Sequence, residues 1–143
     1  MKRTRGATSL VGLAAIVFTI ALAAPALASA PRSGILDVKK ECSQFTGQPG
    51  SFCTITSSNV RAIPAGSRVV YASAPGAGVL DSDLVVQTRG ANLAFGHVVL
   101  DLATGTGTVT LSGGTGQFKK FSASVAVSPL GGADFGWVGP YSY

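Results

Sequence analysis

The stretch Ser112-Gly113-Gly114-Thr115-Gly116-Gln117-Phe118 constrains this chain more than any other. Before it, Gly107 to Leu111 reads Gly-Thr-Val-Thr-Leu. After it, Phe121 to Ser128 reads Phe-Ser-Ala-Ser-Val-Ala-Val-Ser. In the second run Phe121, Ala123, Val125 and Val127 share one face, and Ser122, Ser124 and Ser128 share the other. A period of two with one apolar face is a half-buried antiparallel strand. The Gly-rich link is too short for a crossover, so it is a turn joining two neighbouring strands.

The same pattern recurs along the chain. The runs Ile35 to Gln44, Ser51 to Ser57, Ser67 to Ala72, Val79 to Thr88, Asn92 to Leu102, Gly107 to Ser112, Phe118 to Ser128 and Ala133 to Tyr143 read as strands. Turn signals separate them, among them Gly47-Gln48-Pro49-Gly50, Pro75-Gly76-Ala77-Gly78, Arg89-Gly90-Ala91 and Gly131-Gly132. After residue 30 no amphipathic helix is apparent. Gly, Ser, Thr, Val and Ala dominate, a mixture that favours short strands and tight turns. The expected fold class is all-β, an eight-stranded antiparallel β-barrel, which removes its own exposed edges.

Residues 1–28 read as an address. Lys2, Arg3 and Arg5 precede an uncharged apolar run from Leu10 to Ala24, then Pro25, then Ala26-Leu27-Ala28. A basic start, an apolar middle and a small-x-small end make a secretory signal peptide, with cleavage expected after Ala28. An uncleaved anchor is the alternative, since the run is about long enough to span a bilayer. Residues 29–143 then form a single β-barrel domain, secreted or periplasmic, with no stable membrane span after cleavage.

The address also carries the charge. The chain has 11 Lys and Arg against 6 Asp and Glu. Three of the bases and none of the acids lie in the signal, so the mature chain is only slightly basic. Lys39-Lys40 and Lys119-Lys120 read as isolated doublets on solvated faces. No basic stripe stands out, and no nucleic-acid partner is expected.

Cys42 and Cys53 are the only cysteines. Cys42 ends the first strand run, Cys53 sits in the second, and the link between them holds Gly-Gln-Pro-Gly. A cross-strand disulfide is expected, in keeping with an oxidising compartment. Closing a loop of this size stabilises by about 3 kcal/mol in the chain-entropy description. A redox pair would more often be Cys-x-x-Cys. A metal site lacks ligands, because His97 is the single histidine and no carboxylate cluster accompanies it. No metal, nucleotide or flavin motif is present, and no cofactor is expected.

The segment Gly96-His97-Val98-Val99-Leu100-Asp101-Leu102, followed by Thr110-Leu111-Ser112-Gly113-Gly114-Thr115-Gly116-Gln117-Phe118, resembles the allene oxide cyclase/dirigent barrel superfamily. There too a strand leads into Gly-Gly-Thr/Ser-Gly-x-Phe and an alternating strand follows. The closing Asp134-Phe135-Gly136-Trp137-Val138-Gly139-Pro140-Tyr141-Ser142-Tyr143 resembles the aromatic last strand of that barrel. The whole is similar to small exported bacterial proteins with an allene-oxide-cyclase-like barrel. The resemblance implies an eight-stranded barrel with an apolar interior, often trimeric. It also implies a greasy ligand held in one conformation, as in cyclisation of a fatty-acid epoxide or coupling of phenoxy radicals. The clearest match runs from Gly96 to Tyr143. The Asp and Arg constellations of dirigent active sites have no counterpart in this chain.

The candidate sites divide into acids and aromatics. Glu41, the only glutamate, is either a buried acid that polarises a ligand or a surface residue beside Lys39 and Lys40. Asp81 and Asp83 share a strand face and are either paired carboxylates or a wet face. His97 and Asp101 share a face and could act as base and orienter, yet no Gly-x-Ser-x-Gly elbow supplies a nucleophile. Phe135, Trp137, Tyr141 and Tyr143 share one parity and either line a ligand pocket or form core. Three functions are therefore compatible with the sequence. The first is binding of a small hydrophobic ligand. The second is isomerisation with Glu41 as the acid. The third is a structural or cell-surface role with a filled barrel.

Overall fold

Alternation of apolar and polar residues settles the architecture. Leu36 and Val38 in the first strand, Val69 and Tyr71 in the third, and Leu80, Leu84 and Val86 in the fourth are all buried, while their neighbours face outward. The structure, a computed structural model, describes residues 32–143. The signal peptide expected over residues 1–28 lies outside them.

Eight strands run in chain order: β1 (Ser33–Glu41), β2 (Phe52–Ser58), β3 (Arg68–Tyr71), β4 (Val79–Gln87), β5 (Leu93–Asp101), β6 (Thr106–Gly114), β7 (Ser122–Gly131) and β8 (Asp134–Ser142). Each pairs antiparallel with its sequence neighbours, and β8 returns to β1 to close the barrel. The all-β barrel expected from the sequence is therefore present. The closing ladder is long, running from Ser33 opposite Ser142 to Glu41 opposite Asp134.

One strand boundary differs from the sequence reading. Phe118 does not start β7. It ends a 3-10 turn over Gly116–Phe118, and β7 starts at Ser122. Gly116 has a φ of 56°, and a Cβ there would strike the Asn92 side chain. Only glycine fits such a left-handed, crowded position. The Asn92 Oδ1 in turn accepts a hydrogen bond from the Gln117 amide at 3.1 Å, and the Thr115 hydroxyl accepts one from the Leu93 amide at 3.0 Å. The turn is thus clamped to the β4–β5 hairpin, and this drives Phe118 inward to complete burial.

The barrel has two unlike ends. At one end Phe118, Phe121, Ile63 and Val60 plug the interior, with Tyr141 and Tyr143 packed on Phe121. We call this the closed end. At the other end the disulfide Cys42–Cys53 ties β1 to β2. We call this end the mouth.

β8 keeps its alternation through Gly139 and Pro140. Phe135, Trp137 and Tyr141 stay on the inward parity, and Pro140 is exposed. At Gly139 the backbone of β7 comes so close that a Cβ would overlap the Ser124 carbonyl and the Val125 Cα. Glycine here lets two strands approach as a tightly curved barrel requires. Gly139→Ala should therefore lower the unfolding free energy by roughly 1–3 kcal/mol, the cost of overpacking. Denaturant unfolding measures this, and an unchanged midpoint would contradict the close approach.

Candidate functional site

The polar groups inside the barrel single out one residue. Ser51, Ser67 and Ser82 are buried, but each hydroxyl donates to a nearby backbone carbonyl, of Gln48, Pro64 and Asp83 respectively. Lys40 is different. It is only 4% exposed and is the one charged side chain buried among the described residues. It follows Leu36 and Val38 on the inward parity of β1, and a β-bulge against β2 falls between Lys39 and Lys40. This corrects the reading of Lys39-Lys40 as a solvated doublet. Lys39 faces solvent and Lys40 enters the barrel.

The surroundings of Lys40 are aromatic. Its Nζ donates to the Tyr71 hydroxyl at 2.5 Å and lies 3.7 Å from the Cys53 Sγ. The rings of Trp137, Tyr71 and Phe135 stand 5.1, 5.2 and 5.5 Å from it. Beside it a cavity of about 70 Å³ is lined chiefly by Phe45, Tyr71, Leu80, Leu100, Leu102 and Phe135, with the disulfide against one wall. Leu102 is exposed, so the cavity reaches the surface at the mouth. No Asp or Glu lines it.

Two effects compete on the Lys40 amine. Aromatic faces favour the ammonium by about 0.5–2 kcal/mol each. Loss of water with no carboxylate in return disfavours it by more. Burial wins and lowers the amine from 10.5 to about 7. Burial also pushes the Tyr71 phenol well above its usual value, so Tyr71 stays protonated across the working range.

The sequence-derived candidates are distributed as follows. Phe135 and Trp137 stand at the Lys40 site. Tyr141 and Tyr143 stand with Phe121 at the closed end, so the four aromatics do not line one pocket. Trp137 is 1% exposed, and its Nε1 has no hydrogen-bond partner. Glu41 is on the outward parity, and its Oε1 accepts from the Ser43 amide at 2.5 Å. Lys40 itself escaped the sequence reading, although the spacing Leu36, Val38, Lys40 carried the signal.

On the outer wall, β4 and β5 bring His97 between two carboxylates. Its Nδ1 lies 2.9 Å from Asp83 and its Nε2 lies 2.9 Å from Asp81. Its partners are therefore the two β4 acids, not Asp101 of its own strand. Both contacts are donating only in the imidazolium. The hydrogen bond to Asp83 is the main reason that the His97 value is raised. Among the described residues no three or more His, Cys, Asp or Glu side chains are placed so that they could hold a metal ion.

Topology also sorts charge. Arg32, Arg61, Arg68, Arg89, Lys119 and Lys120 all lie in or beside the segments that meet at the closed end. Arg32, Lys119 and Lys120 share one hollow there, and Arg68 and Arg89 share another. Glu41, Asp81, Asp101 and Asp134 lie in the mouth half.

No family model matches the chain, and neither curated proteins nor solved structures give a match. No helix among the described residues is long and apolar enough to cross a membrane.

Two titrations test these environments. A lysine value lowered by folding means that the unfolded chain binds the extra proton between the two values, so stability rises with pH there. Unfolding free energy should therefore climb from pH 7 toward pH 10 by up to about 1.4 kcal/mol per pH unit, and Lys40→Met should flatten the climb. A wild-type profile already flat over that interval would contradict the assignment. His97 should titrate above the ordinary 6.5 in an NMR experiment. Its contribution to stability is then present below 6.5 and fades as pH rises through the folded value. Asp83→Asn should bring the midpoint down, and a midpoint unmoved by that change would disprove the Asp83 contact.

Proposed function

We propose that this chain is an exported β-barrel protein that binds a small hydrophobic molecule end-on at the mouth. The single observation that carries this reading is the apolar cavity beside Lys40. Pockets for whole drug-sized ligands hold roughly 300–1,000 Å³. A cavity of about 70 Å³ takes only the end of such a molecule, leaving the remainder against the exposed rim at Leu102. The disulfide supports an oxidising location, as the signal-like residues 1–28 do. An eight-stranded antiparallel barrel is the fold that the likeness to the allene oxide cyclase/dirigent superfamily implies. Isomerase chemistry through Glu41 has less behind it, because that carboxylate turns away from the interior.

A second reading has its own observation. The interior is filled by side chains, and the outer wall carries an apolar stripe across β1, β8 and β7. Ile35 lies opposite Pro140 and Val138 opposite Ala126, with Ile35 57% and Val138 49% exposed. Such a stripe suits contact between copies in a structural or cell-surface protein.

Trp137 is the only tryptophan and reports on the mouth. Addition of 1-hexanol should change its fluorescence saturably, and Phe135→Ala should weaken that response by roughly tenfold, about 1.4 kcal/mol. No response in the wild type would sink the ligand-binding reading. Trp137→Ala is uninformative here, since removing a buried tryptophan costs about 3–5 kcal/mol of stability. Native mass spectrometry addresses the second reading: a ligand-free oligomer favours copy-to-copy contact, and a monomer carrying an apolar adduct favours the pocket.

A further inference from the structure

We propose that Lys40 is a reactive amine that condenses with a small apolar aldehyde entering the mouth cavity. The inference rests on the pocket reading above and names the chemistry of its occupant.

Three features of the site converge. First, Lys40 is buried with no carboxylate lining its cavity, so only the aromatic faces and the Tyr71 hydroxyl favour its ammonium form, and burial outweighs them. A neutral amine has the free electron pair that attack on a carbonyl carbon needs. The lowered value of about 7 agrees with this. Second, the Tyr71 hydroxyl is hydrogen-bonded to Nζ. A phenol held protonated can donate a proton and take one back. Third, the cavity wall beside Nζ is apolar, from Leu80 and Leu100 to Phe135. Such a wall accepts a hydrocarbon chain and keeps bulk water from the carbon–nitrogen bond.

The chemistry closes without any further reagent. Nζ attacks the aldehyde carbon, and the carbonyl π bond breaks to give a carbinolamine. The first proton leaves nitrogen and reaches the oxygen by way of Tyr71, completing the neutral carbinolamine. The second N–H proton follows the same route as the nitrogen lone pair forms the C=N bond and the C–O bond breaks, and the oxygen departs as water. The product is an imine between Lys40 and the aldehyde carbon, with one water per adduct. No electron is transferred. Lys39 faces solvent, and Lys119 and Lys120 border an open hollow with Arg32 and the half-buried Tyr143, so none of the three is buried against a phenol. None of them is enclosed as Lys40 is, so no wall holds an aldehyde against their nitrogens and they react slowly.

The test uses hexanal as probe, 1-hexanol as its carbonyl-free counterpart, and cyanoborohydride to reduce any imine to a stable hexyl amine. Near neutral pH, peptide mapping of the folded protein should place the hexyl group on Lys40 at least about tenfold faster than on Lys39, Lys119 or Lys120. Hexanol should slow this labelling by competition. Tyr71→Phe should slow it by roughly 100-fold, the low end of what positioned proton transfer supplies, and Lys40→Met should abolish it. If hexanal and hexanol both perturb Trp137 fluorescence but label reaches only the exposed lysines, the inference is overturned and the pocket reading survives. If neither compound perturbs Trp137 and Lys40 stays unlabelled, both fail. The decisive mapping is done on the unsubstituted protein and needs no variant to fold.

Discussion

Closure of β1 onto β8 is the constraint on which every other feature of this barrel rests. The ladder runs the full length of both strands, and it leaves no open edge in the sheet. With eight strands the interior is just wide enough for side chains to fill it or to leave room for one small ligand. Each inward position must therefore hold a residue that fits its neighbours across the barrel. β1 is held on both sides, by β2 and β8, so its facing is fixed. A slip of one residue would bury Ile35, Asp37 and Lys39 in place of Leu36, Val38 and Lys40.

Given that closure, an amine inside the barrel needs an environment that tolerates it. Polar partners are scarce, and aromatic faces and one phenol take their place. The Cys42–Cys53 bond fixes β1 to β2 beside the amine, which holds one wall of the cavity in position. The closed end solves a different problem. There Phe118 and Ile63 fill the space that the strands leave, and the glycine turn exists to deliver Phe118. One end of the barrel is thus devoted to stability, and the other retains space.

Much of this was legible in the sequence, because local pattern determined it. The strands, the barrel and the disulfide follow from alternation, turn residues and two well-placed cysteines. The start of β7 was misjudged because Phe118 looks like the first inward residue of a strand. In fact its burial comes from a turn clamped by Asn92, a distant partner that no local pattern reveals. Lys40 was misjudged for the opposite reason. Its parity with Leu36 and Val38 was visible, but the habit of lysine to lie in water outweighed it. The shared parity of the β8 aromatics is legible in the sequence, and the structure turns that parity inward. Their division between two ends follows from the length of the strand, which carries Tyr141 along the barrel axis away from Trp137.

The sorting of charge is a property that only the folded topology creates. Six of the eight bases among the described residues, scattered from Arg32 to Lys120, are returned by the strands to the same pole, and only Lys39 and Lys40 lie toward the mouth. Four of the six acids collect in the opposite half, so the barrel has an electric axis parallel to its strands. A molecule with such an axis turns in an external field. Approaching a polyanionic surface, it rotates until the plugged pole leads and the mouth looks back toward bulk solvent. The torque fades over about 10 Å at 0.1 M salt, so this alignment is a low-salt and short-range effect. It would leave the mouth unobstructed while the opposite pole is engaged.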